Sequence, residues 1–235
     1  RQGRQGSPKI MDKQLVFDLP SRMSLDRGNF FVSKSNETAV NLIEDWRNWP
    51  QKKHFLSGPK SSGKSHLANV WATISGANII SAHQLSDPEM LASRNLIIEN
   101  IDKIVGQIDL ETNLFHTHNL IFENRNFLLM TSSSSPSACK FFLPDLASRI
   151  EGTQLASLKE PDDPLFAALL TKLFTDRQLT PAPDVIQYIV VRLERSYEAA
   201  EHFVKKADEQ SLVEHKSITR NLAGKILAKI TSKSH

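Results

Sequence analysis

Short apolar runs alternate with amphipathic helical segments over the first two thirds of the chain. Five of these runs have the length and the flanking residues of buried strands, namely His54–Ser57, Ala77–Ser81, Leu96–Glu99, Phe127–Thr131 and Gln154–Leu158. Helical periodicity is predicted from Ser35 to a stop at Trp49-Pro50, and then at Ser65–Ser75 and Asp109–Asn124. This alternation predicts an α/β fold with a five-stranded parallel sheet and right-handed crossovers.

Beyond Pro161 the pattern contains helices alone. They are predicted at Asp162–Thr175, Ala182–Glu194, Tyr197–Glu209 and Ser217–Ile230. We therefore expect a leader over residues 1–24, an α/β domain over residues 25–160 and a small all-helical lid domain over residues 161–235. Residues 1–10 precede Met11 and resemble an added segment, so they are left out of the fold prediction.

Composition narrows the protein class without fixing a function. With 235 residues, 40% of them hydrophobic, the chain can bury one sizeable core, and it has no apolar stretch of the ~20 residues that a membrane span needs. The lone Cys139 excludes an internal disulfide and a cysteine-based zinc site, and His116 and His118 fall on different helix faces. A net charge of +3 and a pI near 9.0 permit nucleic-acid or acidic partners, although a solvated basic face explains them equally well. We expect a soluble, cytoplasmic protein without a membrane partner.

The strongest chemical signal is the run from Gly58 to Ser65, which matches the phosphate-binding loop G-x-x-x-x-G-K-[ST]. The run follows a predicted strand and opens a predicted helix, so the helix dipole favours an anion in the loop. Backbone N–H groups of such a loop surround phosphates, Lys64 reaches the β- and γ-phosphates, and the Ser65 hydroxyl binds Mg²⁺. The sequence therefore predicts a site for ADP or ATP with Mg²⁺. Its candidate residues are Gly58, Pro59, Lys60, Ser61, Ser62, Gly63, Lys64, Ser65 and His66.

Three further segments resemble the DnaA/Hda family of AAA+ proteins. They are Asn29–Asn36, Asn113–Leu120 and Leu143–Arg149, and the similarity extends over nearly the whole chain. The family fold is that of an AAA+ P-loop NTPase, an α/β sandwich followed by a helical lid. The resemblance also implies that Phe31 and Val32 lie beside the adenine.

Arg149 has the role of an arginine finger if the resemblance holds. Such a residue acts on the nucleotide of a neighbouring subunit, where its guanidinium neutralises charge that develops on the γ-phosphate. The alternative is a helix-end salt bridge to Asp145 or Glu151.

The residues that would hydrolyse a nucleotide within the chain depart from the family pattern. Glu99 and Asn100 stand where the third strand of an active ATPase ends in two acids. Glu99 can still hold Mg²⁺ through water, but the neutral amide of Asn100 cannot act as a base, and Asp102 is a less favoured substitute. The phosphate sensor after the fourth strand aligns with Ser133, or alternatively with Ser132.

The lid also lacks an expected cation. Glu198 stands where the family has a phosphate-sensing arginine, with Arg192 or Arg195 as candidate replacements. We therefore expect persistent nucleotide binding with weak or absent intrinsic hydrolysis, and the family analogy favours ADP.

The Hda branch of the family is favoured by the domains that this sequence lacks and by its leader. The sequence has no room for the N-terminal interaction domain or the C-terminal helix-turn-helix DNA reader of an initiator DnaA. Its run Gln14-Leu15-Val16-Phe17-Asp18-Leu19 is similar to the Q-L-x-Φ-x-L motif that docks on the replicative sliding clamp. Leu15, Phe17 and Leu19 would fill an apolar pocket while Gln14 makes directional hydrogen bonds. An edge strand, or a staple against the core, is the alternative.

The resemblance implies an Hda-like negative regulator of replication initiation. Such a protein docks on the sliding clamp, the beta subunit of DNA polymerase III, reaches DNA indirectly through the clamp, and uses Arg149 to stimulate hydrolysis of DnaA-bound ATP. An active AAA+ ATPase, such as a helicase loader or a truncated DnaA-like initiator, is the first alternative, with Glu99 as its catalytic acid. An adaptor that binds clamp or DNA without acting on a nucleotide is the second. A homo-oligomer is compatible with each function.

Overall fold

The computed structural model describes residues 31–214 and 217–231. The strands within them are β1 Lys53–Ser57, β2 Asn78–Ser81, β3 Leu96–Glu99, β4 Leu128–Ser132 and β5 Leu155–Ser157. The α-helices are α1 Glu37–Glu44, α2 Lys64–Ser75, α3 Pro88–Leu91, α4 Ile108–Glu123, α5 Pro144–Glu151, α6 Asp163–Thr175, α7 Pro183–Val190, α8 Tyr197–Glu214 and α9 Arg220–Thr231. None of the described helices is long and apolar enough to cross a membrane.

The strands form one parallel sheet in the order β2-β3-β4-β1-β5. β1 pairs with β4 from Lys53 opposite Leu128 to Ser57 opposite Ser132, and it pairs with β5 on its other side. The strand order therefore reverses next to β1, and α/β folds bind ligands in the crevice at the carboxyl ends of strands at such a point. The loop that follows β1 starts in this crevice.

Both faces of the sheet are covered, so its strands are apolar on both sides. Phe55 belongs to a buried cluster with side chains of α4 and α5, whereas the next residue, Leu56, packs on the opposite face with Trp71 of α2. Helices α6 to α9 share a separate core, whose largest fully buried side chains are Phe166, Phe174 and Phe203. The predicted fold class is confirmed, and each strand end lies within one residue of its predicted position.

Two helix ends in the lid differ from the prediction. α7 ends at Val190 rather than Glu194, because its last turn tightens and the chain then bends away. α9 begins at Arg220 rather than Ser217, because the hydroxyl of Thr219 accepts a backbone N–H of the first turn at 3.3 Å.

Other helices differ in length or are missing from the prediction. α8 continues to Glu214, past its predicted end at Glu209, because the intervening residues include no glycine or proline. α1 ends at Glu44, and the chain up to β1 then forms two short 3₁₀ turns. α3, with four residues, is too short to show a periodicity that predicts it, whereas α5 is missing from the prediction although it has the same eight residues as α1 and α7. The start of α3 is nevertheless encoded, since the Asp87 carboxylate accepts two backbone N–H groups of its first turn at 3.1 Å.

Candidate nucleotide-binding site and arginine surface

The phosphate-binding loop leaves β1 at Gly58 and enters α2 after Gly63. Gly63 has φ +97°, a left-handed conformation that glycine adopts without strain. A side chain at Gly58 would place its Cβ 2.6 Å from Ser62 Oγ and 2.8 Å from the carbonyl oxygen of Leu158. The backbone geometry therefore requires both glycines.

Lys64 is the cation of the loop that faces inward. Its side chain is buried, and its Nζ donates to the carbonyl oxygens of Gly58 and Pro59, each at 2.7 Å. Burial lowers the pKa of this ammonium, while the charges of Asp102 and Glu99 act to raise it. The ammonium thus lies between the loop backbone and the acids that follow β3.

Ser65 and Glu99, the candidate Mg²⁺ residues, lie at the start of α2 and the end of β3. Glu99 Oε1 is buried and has no hydrogen-bond partner among the described residues. In native proteins few buried polar atoms lack a hydrogen-bond partner. A hydrated cation would satisfy this oxygen, because Mg²⁺ takes oxygen ligands and keeps several waters when it binds with a nucleotide. The residues present therefore fit Mg²⁺ together with a nucleotide.

The residues that follow β3 and β4 do not supply a free base. The N–H of Asn100 donates to Thr131 Oγ1 at 3.1 Å, and its side chain is an uncharged amide. Asp102 accepts two hydrogen bonds from Ser133, one from the backbone N–H at 3.3 Å and one from the hydroxyl. Burial acts to raise the pKa of Asp102, but the hydrogen bonds from Ser133 outweigh this effect, and the pKa is lowered. Ser133 therefore faces Asp102, while Ser132 is buried at the end of β4.

The start of α8 closes onto the loop through a tyrosine. The N–H of Tyr197 donates to the carbonyl oxygen of Ser61 at 3.2 Å. The Tyr197 ring comes within 3.0 Å of the position that a Cβ on Gly63 would take. It also stacks on His66 with ring centroids 6.2 Å apart, and burial raises the pKa of its phenol to about 12. The lid therefore contacts the loop through an uncharged phenol.

Glu198 brings a negative charge to the tip of the loop. Its Oε2 lies 3.3 Å from Lys60 Nζ and accepts a hydrogen bond from the Ser61 hydroxyl at 3.2 Å. These contacts hold the pKa of the Glu198 carboxyl below its usual range. A cavity of about 770 Å³ opens beside the tip, lined by Lys60, Ser61 and side chains of α8 and α9. Lys64 does not line this cavity, so the space lies beside the phosphate position.

The two lid arginines that could replace the missing cation are engaged elsewhere. Arg195 pairs with Asp163 at 2.6 Å. Arg192 lies 3.9 Å from the ring centroid of Tyr188 and donates to its carbonyl oxygen at 3.2 Å. Among the described residues of the lid, a carboxylate rather than a guanidinium contacts the loop.

Phe31 and Val32, predicted to lie beside the adenine, are both half-buried. The carbonyl oxygen of Phe31 accepts a hydrogen bond from Asn36 Nδ2 at 2.9 Å, and Val32 packs against the cluster that contains Trp71 of α2. This segment therefore lies on the α2 face of the sheet. The predicted clamp-docking residues Gln14, Leu15, Phe17 and Leu19 lie outside the described residues.

Arg149 lies at the end of the sheet opposite the phosphate-binding loop. It stands in the last turn of α5, close enough to Lys53 for the two positive charges to interact. Lys53 starts β1, whereas the loop begins after Ser57 at the other end of that strand. At about 3.3 Å per residue, the five steps from Lys53 to Gly58, where the loop begins, span roughly 16 Å. Arg149 therefore lies away from the phosphate-binding loop of its own chain.

The guanidinium of Arg149 is exposed and has no carboxylate partner among the described residues. Its Cζ lies 5.5 Å from the ring centroid of Phe115. It makes no ion pair within the part of the chain that the structure describes, so the salt bridge to Asp145 or Glu151 is not formed.

A buried carboxylate that sequence reasoning missed fixes the start of α5. Glu111 of α4 is fully buried, and its Oε1 accepts from the N–H of Gly106 at 2.7 Å. Its Oε2 accepts from the N–H groups of Phe142 and Leu143 at 2.8 and 3.0 Å. Hydrogen bonds of this kind, with an ionised acceptor, are among the stronger ones in proteins. Glu111 thus holds the segment that leads into the helix of Arg149.

The variant Glu111→Gln is expected to lower the free energy of unfolding by about 1–3 kcal/mol. The amide nitrogen of glutamine is a donor, so in either orientation it faces at least one backbone N–H. Urea denaturation measures the difference. Glu123→Gln, at the exposed end of the same helix, is the matched control and should change stability by less than about 0.5 kcal/mol. Equal effects of the two variants would contradict this role for Glu111.

The comparison with sequence relatives gives a consistent group of proteins, although no family model matches the chain. DnaA of Bacteroides fragilis is 27% identical over 95% of this chain and 53% of its own length. An uncharacterized protein of Haemophilus influenzae is 22% identical over 92% of this chain and 99% of its own length. The chain thus spans about half the length of the Bacteroides DnaA that it matches.

Solved structures with the same fold include DnaA proteins and the Thermotoga maritima protein RuvB, which matches with a TM-score of 0.65 at 15% identity, over 83% of this chain and 67% of that one. Domain III of the Thermotoga maritima replication initiation protein DnaA matches with a TM-score of 0.74 at 17% identity, over 86% of this chain and 94% of that one. AMPPCP-bound DnaA from Aquifex aeolicus matches with a TM-score of 0.67 at 16% identity, over 80% of this chain and 66% of that one. DnaA proteins thus occur both among the relatives by sequence and among the neighbours by fold.

Proposed function

The chain is a DnaA-related protein with the AAA+ fold, and from this premise we propose that it is an Hda-like negative regulator of chromosomal replication initiation. In this proposal the protein holds ADP, or ATP, with Mg²⁺ at its own loop. It docks on the sliding clamp and stimulates hydrolysis of the ATP that is bound to a DnaA partner. The group that acts on this ATP is Arg149.

The position of Arg149 is the observation that supports the proposal best. It is exposed, unpaired among the described residues, and interacts with Lys53, which starts β1 roughly 16 Å along the strand from the loop of the same chain. A planar guanidinium can donate two parallel hydrogen bonds to phosphate oxygens. When it lies beside a partner's γ-phosphate, it stabilises the negative charge that develops there during hydrolysis.

The chain's own loop is suited to holding a nucleotide rather than hydrolysing it. The loop N–H groups, Lys64 and the Ser65 hydroxyl would hold the phosphates with Mg²⁺, and Glu99 would accept from water on the cation. Asn100 cannot take a proton from water, and the lowered pKa of Asp102 makes it a weak base. Because the lid contacts the same loop, we propose that the nucleotide orders the lid against the sheet.

Docking on the DNA polymerase III clamp is proposed from the leader, which resembles a clamp-docking motif at Gln14, Leu15, Phe17 and Leu19. The clamp would bring the protein to DNA without direct contact. Contact between the Arg149 surface of one protein and the loop of the next is a head-to-tail interface, since two different surfaces meet. The same geometry would also allow a homo-oligomer.

Phosphate release from ATP-bound DnaA, measured with clamp loaded on DNA, tests the proposal. We expect release to accelerate when this protein is added, and to stay slow when this protein is incubated with ATP alone. Multiple turnover by this protein without DnaA would instead support an active ATPase. No acceleration in either reaction would support an adaptor.

A further inference from the structure

One face of α4 carries two cations above aromatic rings. Phe115, His118 and Phe122 lie three and four positions apart and so share this face. Arg149 Cζ lies 5.5 Å from the ring centroid of Phe115, and Lys53 Nζ lies 5.6 Å from that of Phe122. We call these five residues the cationic stripe. Its two positive groups come from α5 and from the first residue of β1.

Lys53 is unusual because it is buried without a counter-ion. Only 4% of its surface is exposed, and it makes no ion pair within residues 31–214 and 217–231. Its Nζ hydrogen-bonds to His118 Nδ1 at 3.1 Å, and its partner across the sheet, Leu128, is apolar. Lysine is almost never this buried unless it is paired. The folded chain therefore keeps a costly positive charge beside Arg149.

The protonation of the stripe follows from these contacts. Burial lowers the pKa of His118 to about 3, and the charges of Lys53 and Arg149 act in the same direction. His118 is therefore neutral near pH 7, and its Nδ1 can accept from the Lys53 ammonium. Burial lowers the pKa of Lys53 to about 8, again with a contribution from Arg149. Lys53 is thus largely a cation at neutral pH.

We infer that Lys53 is the second cation of the cationic stripe and that its charge strengthens the attraction of Arg149 for a phosphate. That phosphate is the terminal one of a nucleotide bound to a neighbouring DnaA-type subunit. This inference rests on the proposed function. Arg149 contacts the phosphate, whereas the buried Lys53 acts through it and is a positioning residue. The charge of Lys53 adds to the positive potential at the Arg149 guanidinium. It also repels that guanidinium outward, toward a partner.

A phosphate is favoured over an acidic side chain as the occupant. Two cations within electrostatic range of each other, neither of them paired with a carboxylate of the described residues, favour an anion with more than one negative charge, and the planar guanidinium fits two of its oxygens. The positive charge of Lys53 also attracts such a phosphate without touching it, because protein rather than water surrounds the Lys53 side chain and screens its charge only weakly.

The variant Lys53→Met separates this role from a structural one. Methionine is unbranched and of similar length, so it can fill the site while the unpaired charge is removed. We expect a melting temperature equal to or above that of the wild type, because replacing buried charges by apolar groups is often neutral or stabilising. Stimulation of DnaA ATP hydrolysis should nevertheless fall by about tenfold, the size expected for a unit charge acting over ~10 Å at an effective dielectric constant of ~20. A purely structural lysine would lower both quantities together.

The pH dependence gives a second signature. Lys53 carries its charge below its pKa of about 8 and loses it above. The ratio of wild-type to Lys53→Met stimulation should therefore fall toward one as pH rises from 7 to 9, and the ratio cancels titrations of the partner. The groups facing Lys53 are His118 from α4 and Arg149 from α5, and the pKa of His118, lowered to about 3, lies far below this interval.

The experiment measures phosphate release from ATP-bound DnaA with clamp-loaded DNA across this pH range, for wild type, Lys53→Met, Arg149→Ala and Lys52→Met. Lys52 is the matched control, because it lies next in the chain but contacts the ring of Phe127 instead. Loss with Lys53→Met at pH 7, without loss of thermal stability, is the expected result. Full stimulation by Lys53→Met together with loss in Arg149→Ala overturns this inference alone. Full stimulation by Arg149→Ala, or none by the wild type, overturns the proposed function and this inference with it.

Discussion

The variant Arg149→Ala is expected to lose the stimulation of DnaA ATP hydrolysis, by a factor on the order of 10³ or down to the unstimulated rate. The guanidinium is the charged group that would stabilise the transition state across the interface, and alanine leaves that charge uncompensated. The fold should not suffer, because Arg149 is exposed and its ring contact with Phe115 contributes only about 0.5–1 kcal/mol. A large loss of stimulation with a small change in stability is therefore the expected pattern.

Single-turnover phosphate release, with clamp-loaded DNA and ATP-bound DnaA, measures this effect. Arg94→Ala is the matched control, since Arg94 is also exposed and lies in the loop before β3. Arg149→Lys should restore only part of the stimulation, because a lysine keeps the charge but lacks the planar fork of donors. Stimulation by Arg149→Ala at the wild-type level would exclude the finger mechanism.

The two chemical regions of the protein are held by different elements. The loop, the end of β3 and the start of α8 surround the nucleotide position. Helix α4 supports the arginine surface, with Glu111 bonded to the segment before α5 and Phe115 beneath Arg149. Under the proposed function, this separation lets a chain whose described residues place no free base beside the loop act on the nucleotide of another subunit.

The sequence predicts those elements whose signal is local. Strand β3 has its predicted bounds, Leu96–Glu99, because a short run of apolar and β-branched residues marks where the strand begins and ends. The sequence pattern does not predict helix α5, and the segment that leads into it is held by Glu111 through the N–H groups of Phe142 and Leu143, contacts across 31 and 32 positions that no local signal reports. The ends of α7 and α9 likewise depend on turns and caps that periodicity does not report.

The residues of the candidate site likewise include some that the local sequence predicts and others that only the fold brings together. The phosphate-binding loop is contiguous and is read directly from Gly58 to Ser65. Lys53 comes from β1 and His118 from α4, and only the fold brings them near Arg149 of α5, while Glu111 of α4 contacts the segment before α5. The sequence does contain one indication of Lys53. This lysine directly precedes the apolar run of β1, so it is a charged residue at the edge of a strand that the parallel sheet buries.

The variant Lys64→Met is expected to weaken ADP binding by about 10²-fold or more. Lys64 is the buried cation of the loop, held at 2.7 Å from the carbonyl oxygens of Gly58 and Pro59. Removing one partner of a buried, hydrogen-bonded charge pair costs ~2–5 kcal/mol, and each ~1.4 kcal/mol is a tenfold change in affinity. Lys60→Met is the matched control. Its side chain is 86% exposed and pairs only with the exposed Glu198, so a change below about fivefold is expected.

Calorimetric titration with ADP and Mg²⁺ measures both affinities, and thermal unfolding provides an independent reading. A ligand at 100 times its Kd stabilises a protein by about 2.7 kcal/mol, so ADP should raise the melting temperature of the wild type and of Lys60→Met but not of Lys64→Met. Equal shifts in all three proteins would place the nucleotide elsewhere. Because Arg149 lies at the opposite end of β1, Arg149→Ala should bind ADP with wild-type affinity. Conversely, Lys64→Met should reduce the stimulation of DnaA ATP hydrolysis only to the extent that loss of the nucleotide leaves the lid unordered and so weakens contact with DnaA. Nucleotide binding and stimulation can therefore be separated by these two variants.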